Sequence, residues 1–373
     1  MGQLIEERVA QLVARCRREV DDGLLPAVQI AVGYQGEIVV EEAFGEADRN
    51  TRFAVFSATK PFVASLVWQL ISEGAIDPAA RVATYLPEFG ANGKEGITVE
   101  QVMLHTSGFP TAPLGPPRWD TSASRRQAFG TWRLNWEPGS AYEYHPTSAH
   151  WVLAEIVNAV TGGDYRDLLE QRVTRPLGLP RVLGIQAGAD ANIATIKVCG
   201  EPAGPDELER AFGVRELPVG EVTDAALVAL NAPEARAVGL PGGGGVMRAR
   251  DLAAFYQALL YNPGTLWDPE LLADVTGRVR NSLPDRLTGV PANRTLGLVR
   301  AGDDGKSALR GMGHTVSGRA FGHNGAAGQI AFADPETGLS FGYCTNGIDA
   351  NIIRQARRTS GVASRAAVCT TVG

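Results

Sequence analysis

The chain has 373 residues, 44% hydrophobic and 20% charged, which is enough to bury a large core in one large or two intermixed domains. A formal charge of -6 removes the electrostatic case for nucleic acid or an anionic membrane surface as a partner. Four scattered cysteines (Cys16, Cys199, Cys344, Cys369) lack metal-ligand spacing and read as free thiols in a reducing compartment.

Residues 3–21 carry an amphipathic helical pattern (Leu4, Ile5, Val9, Leu12, Val13, Cys16, Val20) dense in charge. Neither a signal-peptide apolar run nor a membrane span starts there, so a cytoplasmic location is expected. Two Val/Ile-rich runs, 27–33 and 37–44, flank Tyr34-Gln35-Gly36 and predict a β-hairpin. Apolar residues at Phe62, Val63, Leu66, Val67, Leu70 and Ile71 then repeat at helical spacing until Gly74. Further helices are predicted over 148–160, 165–173 and 250–261, with Pro- and Gly-rich loops such as 111–117 between them. Strand patterns return at 329–333 and 339–345, and a last helix is expected over 350–358. Strands at both ends with helices between them predict a sheet domain built from 1–80 and 295–373, interrupted by a mostly helical insertion over 81–294.

The strongest chemical signal is Ser57-Ala58-Thr59-Lys60 at the head of the second helix. Residues three apart share a helix face, so the Lys60 amine can reach the Ser57 hydroxyl. Only four of the 35 basic residues are lysine (Lys60, Lys94, Lys197, Lys306). Arginine cannot release its proton, whereas a partly buried lysine can. Pro61 is tolerated only in a first turn, which places Ser57 at or just before the helix N-terminus, where unpaired N–H groups can hold a developing oxyanion.

Two more constellations accompany it. Pro138-Gly139-Ser140-Ala141-Tyr142-Glu143-Tyr144-His145-Pro146 precedes a helix and offers a phenol, Tyr144 or its close competitor Tyr142, that can take and return a proton. Phe321-Gly322-His323-Asn324-Gly325-Ala326-Ala327-Gly328 leads into a strand, with glycines that permit close backbone approach. Gly-x-Ser-x-Gly, phosphate-loop and zinc-site patterns are all absent from the chain, so no cofactor is required.

Ser57-x-x-Lys60, Leu104-His105-Thr106-Ser107-Gly108, Pro-Gly-Ser followed by Tyr144, Pro241-Gly242-Gly243, and His323-x-Gly325 with Asp334-Pro335 occur in an order that resembles the serine β-lactamase-like family. That superfamily holds class C β-lactamases, D-alanyl-D-alanine carboxypeptidases, and related esterases and transacylases. The resemblance extends from about Pro26 to Asn346. It implies an α+β fold, an antiparallel sheet flanked by N- and C-terminal helices with a mostly helical inserted domain. It further implies Ser57 as the acylated nucleophile, Lys60 as its activator and Tyr144 as the tyrosine of a Tyr-x-Asn element. The oxyanion hole would be the Ser57 and Ala326 N–H groups, and His323, Asn324 and Gly325 would line the substrate, with His105 and Ser107 supporting the wall. Whether Lys60 or Tyr144 is the formal base stays open, because the two titrate together.

Two departures bear on substrate. Pro146 stands where family β-lactamases and peptidases usually carry an asparagine that binds the substrate amide, and its ring cannot do so. His323-Asn324 replaces a common Lys-Thr pair. Both changes weaken recognition of an acylamino carboxylate and favour a simpler ester. Trp119, Trp132, Trp136 and Phe109 fall in the region expected to wall the cleft, where they serve either as an apolar acyl pocket, with Trp119 as the substrate-binding candidate, or as plain packing. The expected activity is hydrolysis of a small-molecule carboxylic ester through a Ser57 acyl-enzyme, with water or another alcohol as the second nucleophile. The competing enzyme reading is a β-lactamase or D-amino-acid peptidase, and the non-enzyme reading is a ligand-binding homologue without turnover.

Overall fold

A computed structural model describes residues 3–189, 191–216 and 222–371. The amphipathic N-terminal segment forms α1 (Glu6–Asp21), and the hairpin forms as expected, with β1 (Ala27–Tyr34) antiparallel to β2 (Glu37–Gly45). A short strand, β3 (Phe53–Phe56), leads through a 3-10 turn (Ser57–Thr59) into α2 (Lys60–Ser72). Later come α3 (Ser148–Thr161), β4 (Gly245–Met247) and α4 (Ala249–Tyr261). The chain closes with β5 (Val299–Arg300), β6 (Phe321–Gly322), β7 (Ile330–Asp334), β8 (Leu339–Thr345) and α5 (Ile352–Ala367).

Six strands make one antiparallel sheet in the order β2-β1-β8-β7-β6-β5. Strands from the two chain ends therefore meet at the β1–β8 pair, where Val28 faces Thr345 and Tyr34 faces Leu339. Strand alternation sorts β1 between two cores. Val28, Ile30 and Val32 pack with Leu12 and Cys16 of α1 and Val362, Ala363 and Ala366 of α5. Ala27 and Ala31 face the other side, with Ala249, Leu252 and Ala253 of α4. Small residues on that side let α4 approach closely; a β-carbon at Gly342 would collide with the Ala249 carbonyl oxygen. Such packing on both faces explains why β1 and β8 are buried along their whole length.

Helix α2 runs through the interior, with every residue from Lys60 to Leu70 buried. Phe62 stacks on Phe255 of α4 at 3.9 Å, and Trp68 donates its indole N–H to the Leu296 carbonyl at 2.7 Å. Each large side chain buried this way stabilises by roughly 1.5–3 kcal/mol, so the helix that carries Ser57 and Lys60 is firmly held.

Two element ends differ from expectation. The final helix starts at Ile352, where Asn351 caps Ile353 and Arg354, and it continues nine residues beyond Arg358. Thr359, Ser360 and Gly361 interrupt its local helical pattern, and packing of Val362, Ala363, Ala366 and Ala367 on the sheet overrides them. The segment 165–173 is an α-helix only to Leu169 and then widens into a π-turn over Glu170–Thr174. No helix among the described residues is long and apolar enough to cross a membrane.

Candidate active site

The turn that presents Ser57 is strained and clamped. Phe56, at the end of β3, adopts φ 47° and ψ -129°, a sparsely populated conformation for a residue with a β-carbon. It reverses the chain so that Ser57 opens the 3-10 turn. Thr59 Oγ1 donates to the Phe56 carbonyl at 2.6 Å and accepts the Gly245 N–H at 2.8 Å, which ties the turn to β4. Pro61 sits in the first turn of α2, where its missing N–H costs nothing.

Lys60 is fully buried. Its Nζ donates to the Pro146 carbonyl at 2.7 Å and the Gly242 carbonyl at 2.6 Å, and lies 3.3 Å from Ser57 Oγ. Close approach of the Gly242 backbone depends on its lacking a side chain, because a β-carbon there would stand 3.3 Å from Nζ and 2.9 Å from the Pro146 oxygen.

The two tyrosines separate clearly. Lys60 Nζ sits 4.9 Å from the centre of the Tyr144 ring, and the Ser57 hydroxyl is near enough to pull the Tyr144 pKa down. Tyr144 Oη nonetheless forms no hydrogen bond of normal geometry. Burial dominates and pushes the phenol well above its usual range, with Arg294 and Ser57 opposing it. The resting side chain is thus a neutral phenol, not a phenolate. Tyr142 Oη instead accepts from Arg294 Nε at 3.0 Å.

Four of the five histidines wall this site: His105, His145, His150 and His323 are all buried. His145 Nε2 accepts the Phe109 N–H at 3.2 Å and meets Ser107 Oγ at 3.1 Å, so its proton sits on Nδ1 and is donated to the Glu143 carbonyl at 2.6 Å. Burial holds this imidazole down to about 3. His105 Nδ1 accepts the His145 N–H at 3.1 Å, so His105 and Ser107 both brace the Tyr144 loop through His145. Burial, together with Arg294 and Lys60, also holds His105, His150 and His323 well below the imidazole range. Among the described residues, no group of three or more His, Cys, Asp or Glu is placed to hold a metal ion.

Beyond β6, a β-carbon at Gly325 would collide with the Val55 carbonyl oxygen, so this glycine is what lets the segment lie against β3. Ala326 begins a second 3-10 turn (Ala326–Gly328), as Ser57 begins the first. Backbone N–H groups at such positions have no acceptor within their own turn. His323 Nδ1 lies 2.9 Å from the Asn324 carbonyl, and its Nε2 is buried without a partner. The Asn324 amide donates to the Gly311 carbonyl at 2.7 Å and accepts the Ala331 N–H at 3.2 Å.

A cleft of about 490 Å³ joins these groups, with Ser57, Tyr144, Pro146, His323, Asn324, Gly325 and Ala326 in its wall. Val290, Pro291 and Leu309 add apolar surface. The expected aromatic acyl pocket is not there. Trp119 is half-buried against the main core and its carbonyl holds Arg125; Trp132 and Phe109 are interior, in tilted and edge-on contact with each other and with Phe129 and Phe89. Trp136 donates to Glu143. None of the four lines the cleft; Trp119, Trp132 and Phe109 belong to the helical core instead.

Arg294 and His150 belong to no motif with a distinctive spacing, and His145, although inside the Tyr144 constellation, carried no role there. The Gly242 carbonyl had a signal in the glycine run, which marks close backbone approach.

The beta-lactamase family model matches residues 3–359. The chain belongs to the beta-lactamase family. This family member is 32% identical to the esterase/beta-lactamase LipL of Mycobacterium tuberculosis over 350 residues, 85% of this chain and 76% of LipL. It is 28% identical to esterase EstB of Burkholderia gladioli over 303 residues, 72% of this chain and 75% of EstB. Among solved structures, a family VIII carboxylesterase superimposes with a TM-score of 0.77 at 25% identity, covering 98% of this chain and 100% of that one. A penicillin-binding protein homologue from Caulobacter crescentus gives 0.75 at 25% identity, with 97% and 99% covered. The expected α+β fold is therefore the observed one, and a beta-lactamase-family hydrolase with esterase-named relatives is the setting for its chemistry.

Proposed function

We propose that this protein cleaves carboxylic esters through an acyl-enzyme on Ser57. The observation that carries the reading is Lys60 Nζ, anchored on two backbone carbonyls and 3.3 Å from Ser57 Oγ. A neutral amine has two N–H bonds and one lone pair. In the neutral form its two hydrogens can stay on the Pro146 and Gly242 carbonyls, which leaves the lone pair to take the serine proton.

Ser57 Oγ attacks the ester carbonyl as its proton passes to Lys60, and the oxyanion collects at the Ser57 and Ala326 N–H groups. Tyr144, a neutral phenol, donates its proton to the departing alkoxide and is reprotonated from Lys60. Water then repeats the attack on the acyl-enzyme, or a second alcohol does so and the acyl group is transferred. The cleft also supports the ester reading over the lactam one. Pro146 offers no side-chain amide, the Asn324 amide is engaged with Gly311 and Ala331, and EstB is named an esterase, while the name of LipL covers both activities.

The test is a set of initial rates on p-nitrophenyl acetate and butyrate beside a chromogenic cephalosporin and a D-alanyl dipeptide, with fluorophosphonate labelling as a check on the nucleophile. Ester kcat/KM is expected to exceed lactam and peptide values by several orders of magnitude, as when a site lacks a hydrogen-bond donor the rival substrate needs. Comparable efficiencies on cephalosporin and ester would promote the β-lactamase reading. Absence of both labelling and turnover would leave a binding protein.

A further inference from the structure

The exposed apolar side chains of this protein are unevenly placed. Among the described residues, Leu287 and Leu309 are the two most exposed large ones, at 79% and 67%, and both line the cleft that holds Ser57. Val222, 43% exposed, is a third in the same wall. A second groove of about 480 Å³ adjoins the cleft through Val222 and Ala326, and exposed Ile352 lines it beside Leu208, Leu227 and Ile348. Single surface leucines are ordinary. The most exposed pair at the mouth of a proposed catalytic cleft, continuous with an apolar groove, marks an interaction surface.

Both leucines ride on braced backbone. Asp285 accepts the Leu287 and Thr288 N–H groups at 2.8 and 3.0 Å, and its own N–H closes the loop on the Val290 carbonyl at 2.8 Å. Leu309 sits in a 3-10 turn (Ser307–Arg310), where the Ser307 hydroxyl donates to the Gly313 carbonyl at 2.6 Å. Arg310 ties this turn to the neighbouring loop by donating to the Pro291 carbonyl at 2.9 Å. Backbone held in this way has lost its ordering entropy before a partner arrives, so docking gains the burial of the side chains at little further cost.

Charge narrows the partner. Arg286 faces Glu143 at 3.5 Å and Arg310 is matched by Asp304 at 2.5 Å, so these rim charges cancel. A formal charge of -6 on the whole chain repels an anionic surface. What fits is an uncharged surface that presents hydrocarbon, and the cleft behind the leucines is where the proposed ester enters.

We infer that Leu287, Leu309 and Val222 form a docking rim for the surface of an aggregated, uncharged ester, so that the protein works on droplets as well as on dissolved substrate. This inference rests on the ester reading for its partner, although docking can be measured without turnover.

Flotation of Ser57→Ala protein with sonicated triolein droplets reads the docking step, with phosphatidylglycerol vesicles as the anionic comparison. The protein is expected to float with triolein and to stay behind with the vesicles. Leu287→Ser combined with Leu309→Ser in that background should weaken the triolein association by about tenfold or more, because the apolar area that docks is removed. Val39→Ser, at a 41% exposed position on edge strand β2, should float as its parent does. Wild-type hydrolysis of tributyrin, followed across its solubility limit, should rise again once droplets form, and the double leucine variant should lose that second rise. No flotation with triolein overturns the rim, as does association with the anionic vesicles alone or an equal loss in Val39→Ser. A dimer in size-exclusion chromatography that Leu287→Ser splits makes a second copy of the chain the occupant and overturns it too. If the Ser57→Ala protein floats through its leucines but wild type hydrolyses no ester, dissolved or dispersed, the rim stands and the ester reading falls.

Discussion

The side-chain nitrogen of Lys60 lies 2.6 Å from the carbonyl oxygen of Gly242, a contact across 182 positions of the chain. Pro146, from a third segment, completes the grip at 2.7 Å. The amine is therefore aimed by backbone atoms, and a side chain added at Gly242 would crowd both the amine and the Pro146 oxygen.

That grip predicts the outcome of Lys60→Arg. A guanidinium is too bulky for a space bounded by two carbonyls and the Gly242 α-carbon, and it cannot accept a proton. Both Lys60→Arg and Lys60→Ala should lower kcat/KM on p-nitrophenyl butyrate by about 10³ or more. Near-normal hydrolysis by the arginine variant would remove Lys60 from proton transfer.

Ser57→Ala should be equally inactive while melting close to wild type, since Ser57 faces the cleft and contributes little to the core. Intact-mass spectrometry of the fluorophosphonate reaction reads this directly. Wild type should gain one adduct and Ser57→Ala none; an adduct that persists in the variant moves the nucleophile elsewhere.

Gly325→Ala tests the packing behind the proposed oxyanion site. Its methyl would press on the Val55 carbonyl, so β3 or the 323–328 segment must shift. A loss of about 1–3 kcal/mol in urea unfolding is expected, with a lower kcat from displaced Ala326. Full stability and full activity together would show that the segment relaxes freely.

The histidine wall predicts acid sensitivity with a definite sign. His105, His145, His150 and His323 have depressed pKa values in the folded protein, about 3 for His145, chiefly through burial. Below the unfolded-chain value of about 6.5 the unfolded state binds protons that the folded state refuses. Stability is then complete above about pH 6.5 and declines as pH falls, by up to about 1.4 kcal/mol per pH unit for each imidazole. Urea melts at three pH values between 7.5 and 5 measure it. A flat profile over that window would contradict the buried, neutral wall.

Local signals carried much of this molecule. Helix α2, the β1–β2 hairpin, β7 and β8 follow from patterns of 3.6 and 2 residues. Ser57 and Lys60 were legible because three positions along a helix set their adjacency without help from the rest of the chain. The end of α5 was not, because its last nine residues are helical by virtue of the sheet they cover.

The choice between Tyr142 and Tyr144 shows where the sequence stops. The two phenols are two residues apart in one loop, and only the tertiary structure gives the Tyr142 hydroxyl to Arg294 Nε and sets Tyr144 beside Ser57 and Lys60. Trp119 reads equally well as cleft wall or core until the helices dock, and it then joins the core. Arg294 has no motif at all. Its place against Tyr142 and the Tyr144 ring exists only once distant segments close around it. Periodicity is local and was written in the chain; solvent exclusion and charge balance are properties of the assembled interior, and they decided the site.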